Sequence, residues 1–208
     1  MIKTSFKKIT IFLFSLTIYQ SAQAYLTVGE TAELLPPNYY LIGLEPQAVI
    51  SEGGGFNLGA YFDSHVMQDV NGRIKIGAGS NDFWVEGTLK WVPIPDVESQ
   101  PAIGFRGGIS YSRDEKLNYI NVQVTPIVSK KTNTIYGDMI PFVALPITWV
   151  KPSTGDSYIA SQFAIGAEWY SDEFAHIGAE VDVNLSKSIS SVSAFVSFPF
   201  DGTTGYKK

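Results

Sequence analysis

The 208-residue sequence contains no cysteine. This excludes disulfides, thiol nucleophiles and thiolate metal sites, so an exported chain of this composition takes its stability from packing or from lipid. Histidine occurs only twice, as His65 and His176. Beyond residue 24 no apolar run approaches the roughly 20 residues a membrane-spanning helix needs. Any crossing of a bilayer must therefore be made by strands closed into a barrel, because lipid offers no partner to a free strand edge. Basic residues are outnumbered, 15 against 20 acidic, and they are not clustered. Binding to nucleic acid is not expected, since it relies on grouped Lys and Arg.

The N-terminus has the opposite character. Residues 1–24, MIKTSFKKITIFLFSLTIYQSAQA, carry Lys3, Lys7 and Lys8 without an acid, then an apolar stretch from Ile9 to Tyr19, then Ala22-Gln23-Ala24. That is the order of a cleaved secretory signal peptide. Cleavage after Ala24 leaves 184 residues with 12 basic and 20 acidic side chains. Residues 25–38, YLTVGETAELLPPN, show no sustained period and include Pro36 and Pro37, which predicts a periplasmic lead-in.

From residue 39 to residue 200 the texture changes to runs of about ten residues that alternate apolar with polar or small side chains, the period of half-buried strands. Ten runs are expected: 39–50, 55–67, 73–80, 83–93, 101–112, 117–128, 135–149, 157–170, 176–185 and 189–200, with a short tail at 201–208. In 176–185, for example, Ile177, Ala179, Val181, Val183 and Leu185 oppose His176, Gly178, Glu180, Asp182 and Asn184. Asn71-Gly72 predicts a hairpin turn. The seventh run is interrupted by Pro141 and Pro146, so a bulge or an edge-like stretch is expected there.

Which face meets water separates a soluble exported β-sandwich from a membrane barrel. The apolar sets of the better-defined runs carry no charge, as a lipid face requires. The polar sets are diluted with glycine and tyrosine and hold charges of both signs, unlike the outer surface of a sandwich. Aromatics gather near strand ends at Tyr39, Tyr40, Phe83, Trp91, Tyr111, Trp149 and Trp169, as in interfacial girdles. The expected fold is all-β, an antiparallel up-and-down transmembrane barrel of ten strands, with eight as the smaller option and the soluble sandwich as the alternative.

With these runs in view the chain resembles the small outer-membrane β-barrel proteins of Gram-negative bacteria. The most specific element is SAFVSFPF, which ends at Phe200 and looks like the last strand read by the barrel-assembly machinery, with Phe198 and Phe200 at the matching positions. Pro199 between them and the eight residues after Phe200 depart from that pattern. The resemblance implies outer-membrane lipid and the assembly machinery as partners. It indicates no oligomeric state.

The polar faces then become a lumen. Its charge candidates are Arg73, Lys75, Lys90 and Arg106 from runs three to five, and Glu45, Asp63, Glu86, Glu168, Glu180 and Asp182. Closure is expected to bring the bases of runs three to five opposite the acids of runs eight, nine and one. They would act either as a transverse field that filters small ions, or as an ion-pair network that fills a barrel too narrow for a wide channel. Catalysis is not indicated. Neither histidine has a serine and a carboxylate at a family spacing, although lipid-modifying enzymes of the outer membrane remain a third reading. Asp63-x-His65 is too small a set for a metal, SEGGGFN lacks the Lys-Ser/Thr of a phosphate loop, and no cofactor is expected.

Overall fold

The computed structural model describes residues 27–51, 53–114, 116–135, 137–170, 175–203 and 205–206. Residues 1–24, read as a signal peptide, lie outside them. The strands are β1 (Tyr39–Val49), β2 (Gly55–Met67), β3 (Val70–Gly79), β4 (Phe83–Ile94), β5 (Ala102–Asp114), β6 (Leu117–Ser129), β7 (Thr132–Thr134), β8 (Gly137–Ala144), β9 (Ile147–Pro152), β10 (Tyr158–Tyr170), β11 (His176–Ser186), β12 (Ser191–Asp201) and β13 (Gly205–Tyr206). Every pairing is antiparallel. β12 returns to β1, from Tyr39 opposite Asp201 to Val49 opposite Ser191, and closes the ring.

β8 and β9 form one stave. Ala144 faces Ala164 and Ile147 faces Ser161 on β10, while the same two residues face Ile127 and Val124 on β6, so the register runs through Leu145-Pro146 unchanged. The barrel thus has ten staves. The bulge expected in the seventh run is absent because Pro146 withholds one N–H but still accepts from Gln162 N, and Leu145 N donates to Pro126 O. Alternation is obscured in the sequence there because both faces are apolar: Ile140, Phe142, Ala144 and Val150 point inward, Val143, Leu145, Ile147 and Trp149 outward. Register shifts occur instead between His65 and Met67, Trp91 and Ile94, and Ser161 and Gln162.

Asn71-Gly72 is likewise not a turn. The chain reverses at Gln68-Asp69, and Asn71 and Gly72 pair with His65 and Ser64 inside the ladder. A Val66 methyl group covers the place a Gly72 Cβ would take, 3.1 Å away.

Ile42, Leu44, Ile74, Ile76, Leu89 and Ile109 stand exposed on the outside, whereas all ten lumen-charge candidates are buried inside. That inversion overturns the soluble sandwich, which would turn its apolar face inward. Nine staves of 10 to 13 residues, with β8 and β9 joined end to end as the tenth, suit a tilted passage through a bilayer. Of the predicted aromatics, Tyr40, Trp91 and Trp169 sit outward toward one end of the barrel and Phe83, Tyr111 and Trp149 toward the other, while Tyr39 is half-buried. Phe198 is exposed on the outer wall and Phe200 is half-buried beside the hairpin that β13 makes on β12.

Inward glycines take up much of the aromatic bulk. Gly43, Gly77, Gly166 and Gly178 lie directly opposite Tyr61, Trp84, Phe142 and Phe195 on the neighbouring strand. Each ring lies over its glycine, filling the space a side chain would need, as in pairs that relieve sheet glycines with aromatics.

Candidate functional site

The segment read as a periplasmic lead-in does not stay outside the barrel. Thr27, Val28, Glu30, Thr31 and Ala32 are all at most 5% exposed and lie within the lumen. The chain descends from Thr27 to Leu35, leaves by the end where β1 begins, and reverses at Pro36-Pro37-Asn38. There Tyr39 N donates to Pro36 O and Asn38 adopts the left-handed conformation that asparagine tolerates in turns. Beside the exit, His65 Nδ1 lies 3.2 Å from Leu35 O.

A strand-like segment inside a barrel has no ladder to satisfy its backbone, and unpaired buried amides are costly. The lumen charges meet that need. Glu180 accepts from Val28 N at 2.8 Å and from Gly29 N at 2.7 Å, one bond to each carboxylate oxygen. Arg106 donates to Val28 O at 2.7 Å, Arg73 to Gly29 O at 2.7 Å and Lys90 to Thr31 O at 2.7 Å. Ser129 Oγ accepts from Ala32 N at 3.1 Å. Such charge-assisted bonds contribute about 1.5 to 3 kcal/mol each.

Side chains of the segment complete the fit. Glu30 pairs with Lys90 at 3.1 Å and with Arg106 at 3.6 Å. Thr27 Oγ1 bonds to Glu45 and lies 3.2 Å from Lys75 Nζ. On its other side, Val28 and Ala32 belong to one apolar cluster with Ile127, Phe142, Ala144 and Phe195. Gly29 has φ near 56°, and a Cβ there would stand 2.5 Å from Glu45 Oε2, so both conformation and space require glycine.

The wall charges are also paired among themselves, but along the wall rather than across it. Arg73 is bidentate to Asp63 on β2, Lys75 meets Glu45 at 2.8 Å, and Arg106 bonds to Glu86 on β4. The expected opposition of a basic and an acidic wall is therefore corrected: the N-terminal segment occupies the space between them. Its alternation is too short and too mixed to be read as an inserted plug, although Gly29 and Glu30 in TVGE are a usable signal once a charged lumen is suspected. Beside Glu86, Thr88 and Gln123 lies a gap of about 10 Å³, near the minimum for one water. A larger groove of about 440 Å³ lies on the outer wall, where Gly72, Gly87 and Gly107 leave no side chains.

Near the exit Glu168 Oε1 lies 3.8 Å from His176 Nδ1, and the His176 ring stacks on Tyr170 at 3.8 Å. Register places Ser197 opposite His176, but Ser197 is wholly buried. Among the described residues, no three His, Asp or Glu side chains gather as a metal would require, and no helix is long and apolar enough to cross a membrane.

No protein-family model matches the chain, and no curated protein matches its sequence. Among solved structures, a designed transmembrane β-barrel overlaps 80% of this chain and 99% of its own, at 12% identity and a TM-score of 0.41. A bacterial polysaccharide outer-membrane secretin overlaps 79% of this chain and 66% of its own, with 11% identity and a TM-score of 0.43. LpxR from Salmonella typhimurium overlaps 70% and 72%, with 9% identity and a TM-score of 0.42. The chain is a closed ten-stranded barrel of the transmembrane type. That statement rests on its own strand pairing and inverted faces, and these remote overlaps carry no argument about role.

Proposed function

We propose that this protein is an integral β-barrel of the bacterial outer membrane, structural or at most a narrow ion path, whose lumen is closed by its own N-terminal segment. The observation that carries this reading is the use of Glu180, Arg73, Arg106 and Lys90 as partners for the backbone of residues 28–31. Groups so engaged hold a plug and have little capacity left to select passing solutes. Export by a signal peptide, a lipid-covered outer wall and assembly through the SAFVSFPF segment belong to the same reading. It assigns no catalysis.

Planar-bilayer recording of the mature chain beside a variant lacking residues 25–35 tests the proposal. The mature chain should give little or no current. The deletion should give small cation-preferring steps, because the wall alone holds six buried acids against four bases, Glu45, Asp63, Glu86, Glu168, Glu180 and Asp182 against Arg73, Lys75, Lys90 and Arg106. Large non-selective steps from the mature chain would overturn it.

A further inference from the structure

The outer wall is apolar, and its exceptions share one end. Among the described strand residues, two charged side chains stand on outward-facing positions, Arg113 on β5 and Lys151 on β9. Both are basic, both are exposed, and both lie at the end away from the plug exit. β6 runs between them: Arg113 lies opposite Asn118 and Lys151 opposite Ile120, so the two bases are diagonal neighbours across one strand. The interfacial aromatics of that end stand with them, Phe83 opposite Arg113 and Tyr111 donating to Asn118 Oδ1 at 3.0 Å. Asp82 approaches Arg113 at 3.8 Å, a wide contact between exposed side chains, and Lys151 forms no ion pair among the described residues. Basic side chains at this level of a membrane wall meet lipid headgroups.

Toward mid-barrel from these bases lies the outer groove of about 440 Å³. Register shapes it. Gly72, Leu89 and Gly107 form one row across β3, β4 and β5, and Ile74, Gly87 and Ile109 form the next, so glycine alternates with a large apolar side chain in both directions. A Cβ at Gly87 would meet nothing within 4 Å, and one at Gly107 nothing nearer than Gln123 O at 4.0 Å. At a rise of about 3.3 Å per residue, Ile109 and Gly107 lie about 13 and 20 Å along β5 from Arg113, which a strand tilt of about 45° turns into roughly 9 to 14 Å of depth. That depth falls within one leaflet of a hydrocarbon core about 30 Å thick. Bases and groove are spaced as the headgroup and the acyl chain of a single lipid.

We propose that this face binds one anionic phospholipid, its phosphate held by Arg113 and Lys151 and one acyl chain lying in the groove over Gly87 and Gly107. Arginine offers a planar fork to phosphate oxygens and lysine a compact charge, so the two can hold one phosphate from either side of β6. The chain meets backbone at the glycines and the flanks of Ile74, Leu89 and Ile109 at once, and so gains more dispersion contact than it would on a ridged wall. Bases alone would attract free phosphate, and a groove alone would take any hydrocarbon chain. A bilayer lipid uses both. The proposal rests on the lipid-covered outer wall of the function proposed above, and the protein's need for detergent reports on that reading separately.

The mature protein is purified in neutral dodecylmaltoside micelles and mixed with equal amounts of dimyristoylphosphatidylglycerol and dimyristoylphosphatidylcholine, and the lipid it retains is counted by native mass spectrometry. The two lipids share their acyl chains and differ in net charge. Two bases at a headgroup, one of them shared with Asp82, should favour the anionic lipid about tenfold. Arg113→Gln with Lys151→Gln should bring that preference close to unity. Gly87→Val, whose side chain has open space to enter, should lower retention of the anionic lipid severalfold by filling the groove. Heat-modified migration on gels confirms that the variants are folded. Dihexanoylphosphatidylglycerol, with the same head but chains too short for the groove, should compete poorly. Equal retention of the two lipids by the parent overturns the proposal, as does a preference that survives the double substitution. A Gly87→Val protein that holds the anionic lipid as well as the parent overturns it too, as does a short-chain lipid that competes as well as the long one. A mature protein that stays in solution without detergent would instead remove the outer-wall reading itself, and the proposal with it.

Discussion

Arg73 and Asp63 face one another across β2 and β3 and share a two-pronged ion pair, Nε to Oδ1 and Nη2 to Oδ2, both at 2.6 Å. The remaining terminal nitrogen of Arg73 reaches the plug at Gly29 O, and the guanidinium lies 4.3 Å from the centre of the Tyr61 ring. One side chain thus ties wall to wall and wall to plug. Arg73→Met should leave Asp63 as an uncompensated buried charge and cost about 3 to 5 kcal/mol. Arg73→Lys keeps the charge but loses the fork, so its loss should be smaller. Urea unfolding of detergent-folded protein measures both; a lysine variant as stable as the parent would show that the fork geometry contributes nothing, and a lysine variant as weak as methionine that the charge alone contributes nothing.

The architecture was legible in the sequence where the two strand faces differ in polarity. The stretch from His176 to Leu185 alternates cleanly and forms β11 as expected, while the stretch from Met139 to Val150 is apolar on both faces and conceals its period. The lumen charges could be assembled by face as well, since Arg73, Lys75, Glu86 and Lys90 fall on the polar sides of consecutive runs. What they touch could not. Arg73 and Lys90, with Arg106 and Glu180, also bond to backbone groups of residues 28–31, and a segment satisfied by side chains rather than by a ladder leaves no period to read. The reversal at Gln68-Asp69 falls between the second and third runs as read, but Asn71-Gly72 has the stronger local turn chemistry and misplaces the turn by a few residues, because the sheet keeps Gly72 in the ladder where Val66 covers it.

Val181 stands on the outer wall between Glu180 and Asp182, which point inward. Val181→Arg should cost about 2 to 4 kcal/mol if that position lies at the bilayer midplane, with less heat-resistant migration on gels. Val181→Leu should be neutral. Refolding into lipid vesicles gives the comparison, and an arginine tolerated as well as leucine would mean that this face does not meet lipid.

Gly178 lies beneath the Phe195 ring, and a Cβ there would stand 2.1 Å from it. Gly178→Ala should therefore overpack the lumen and cost about 1 to 3 kcal/mol. Phe195→Leu added to it should recover part of the loss, since the smaller side chain vacates the space. A double-mutant cycle reads the coupling directly, and strictly additive effects would rule out the ring as the obstacle.

At the plug-exit end, the loop between β4 and β5 is fastened to the turn after β6 through Asp96. Its carboxylate accepts from Lys130 Nζ and, at 2.6 Å, from Lys131 N. The bond from Lys130 holds the Asp96 carboxyl below its ordinary value, with the Lys131 amide adding to the effect. An acid depressed in the folded state stabilises above its unfolded value, near 3.9, and that contribution is lost as pH falls through the folded value. Asp96→Asn should therefore lower the thermal midpoint at neutral pH and leave it closer to the parent below about pH 3. The expected difference is small because the pair is partly exposed and screened by salt. Thermal unfolding of both proteins between acidic and neutral pH provides the check, and a gap that widens toward acid would show that the fastening does not depend on the Asp96 charge.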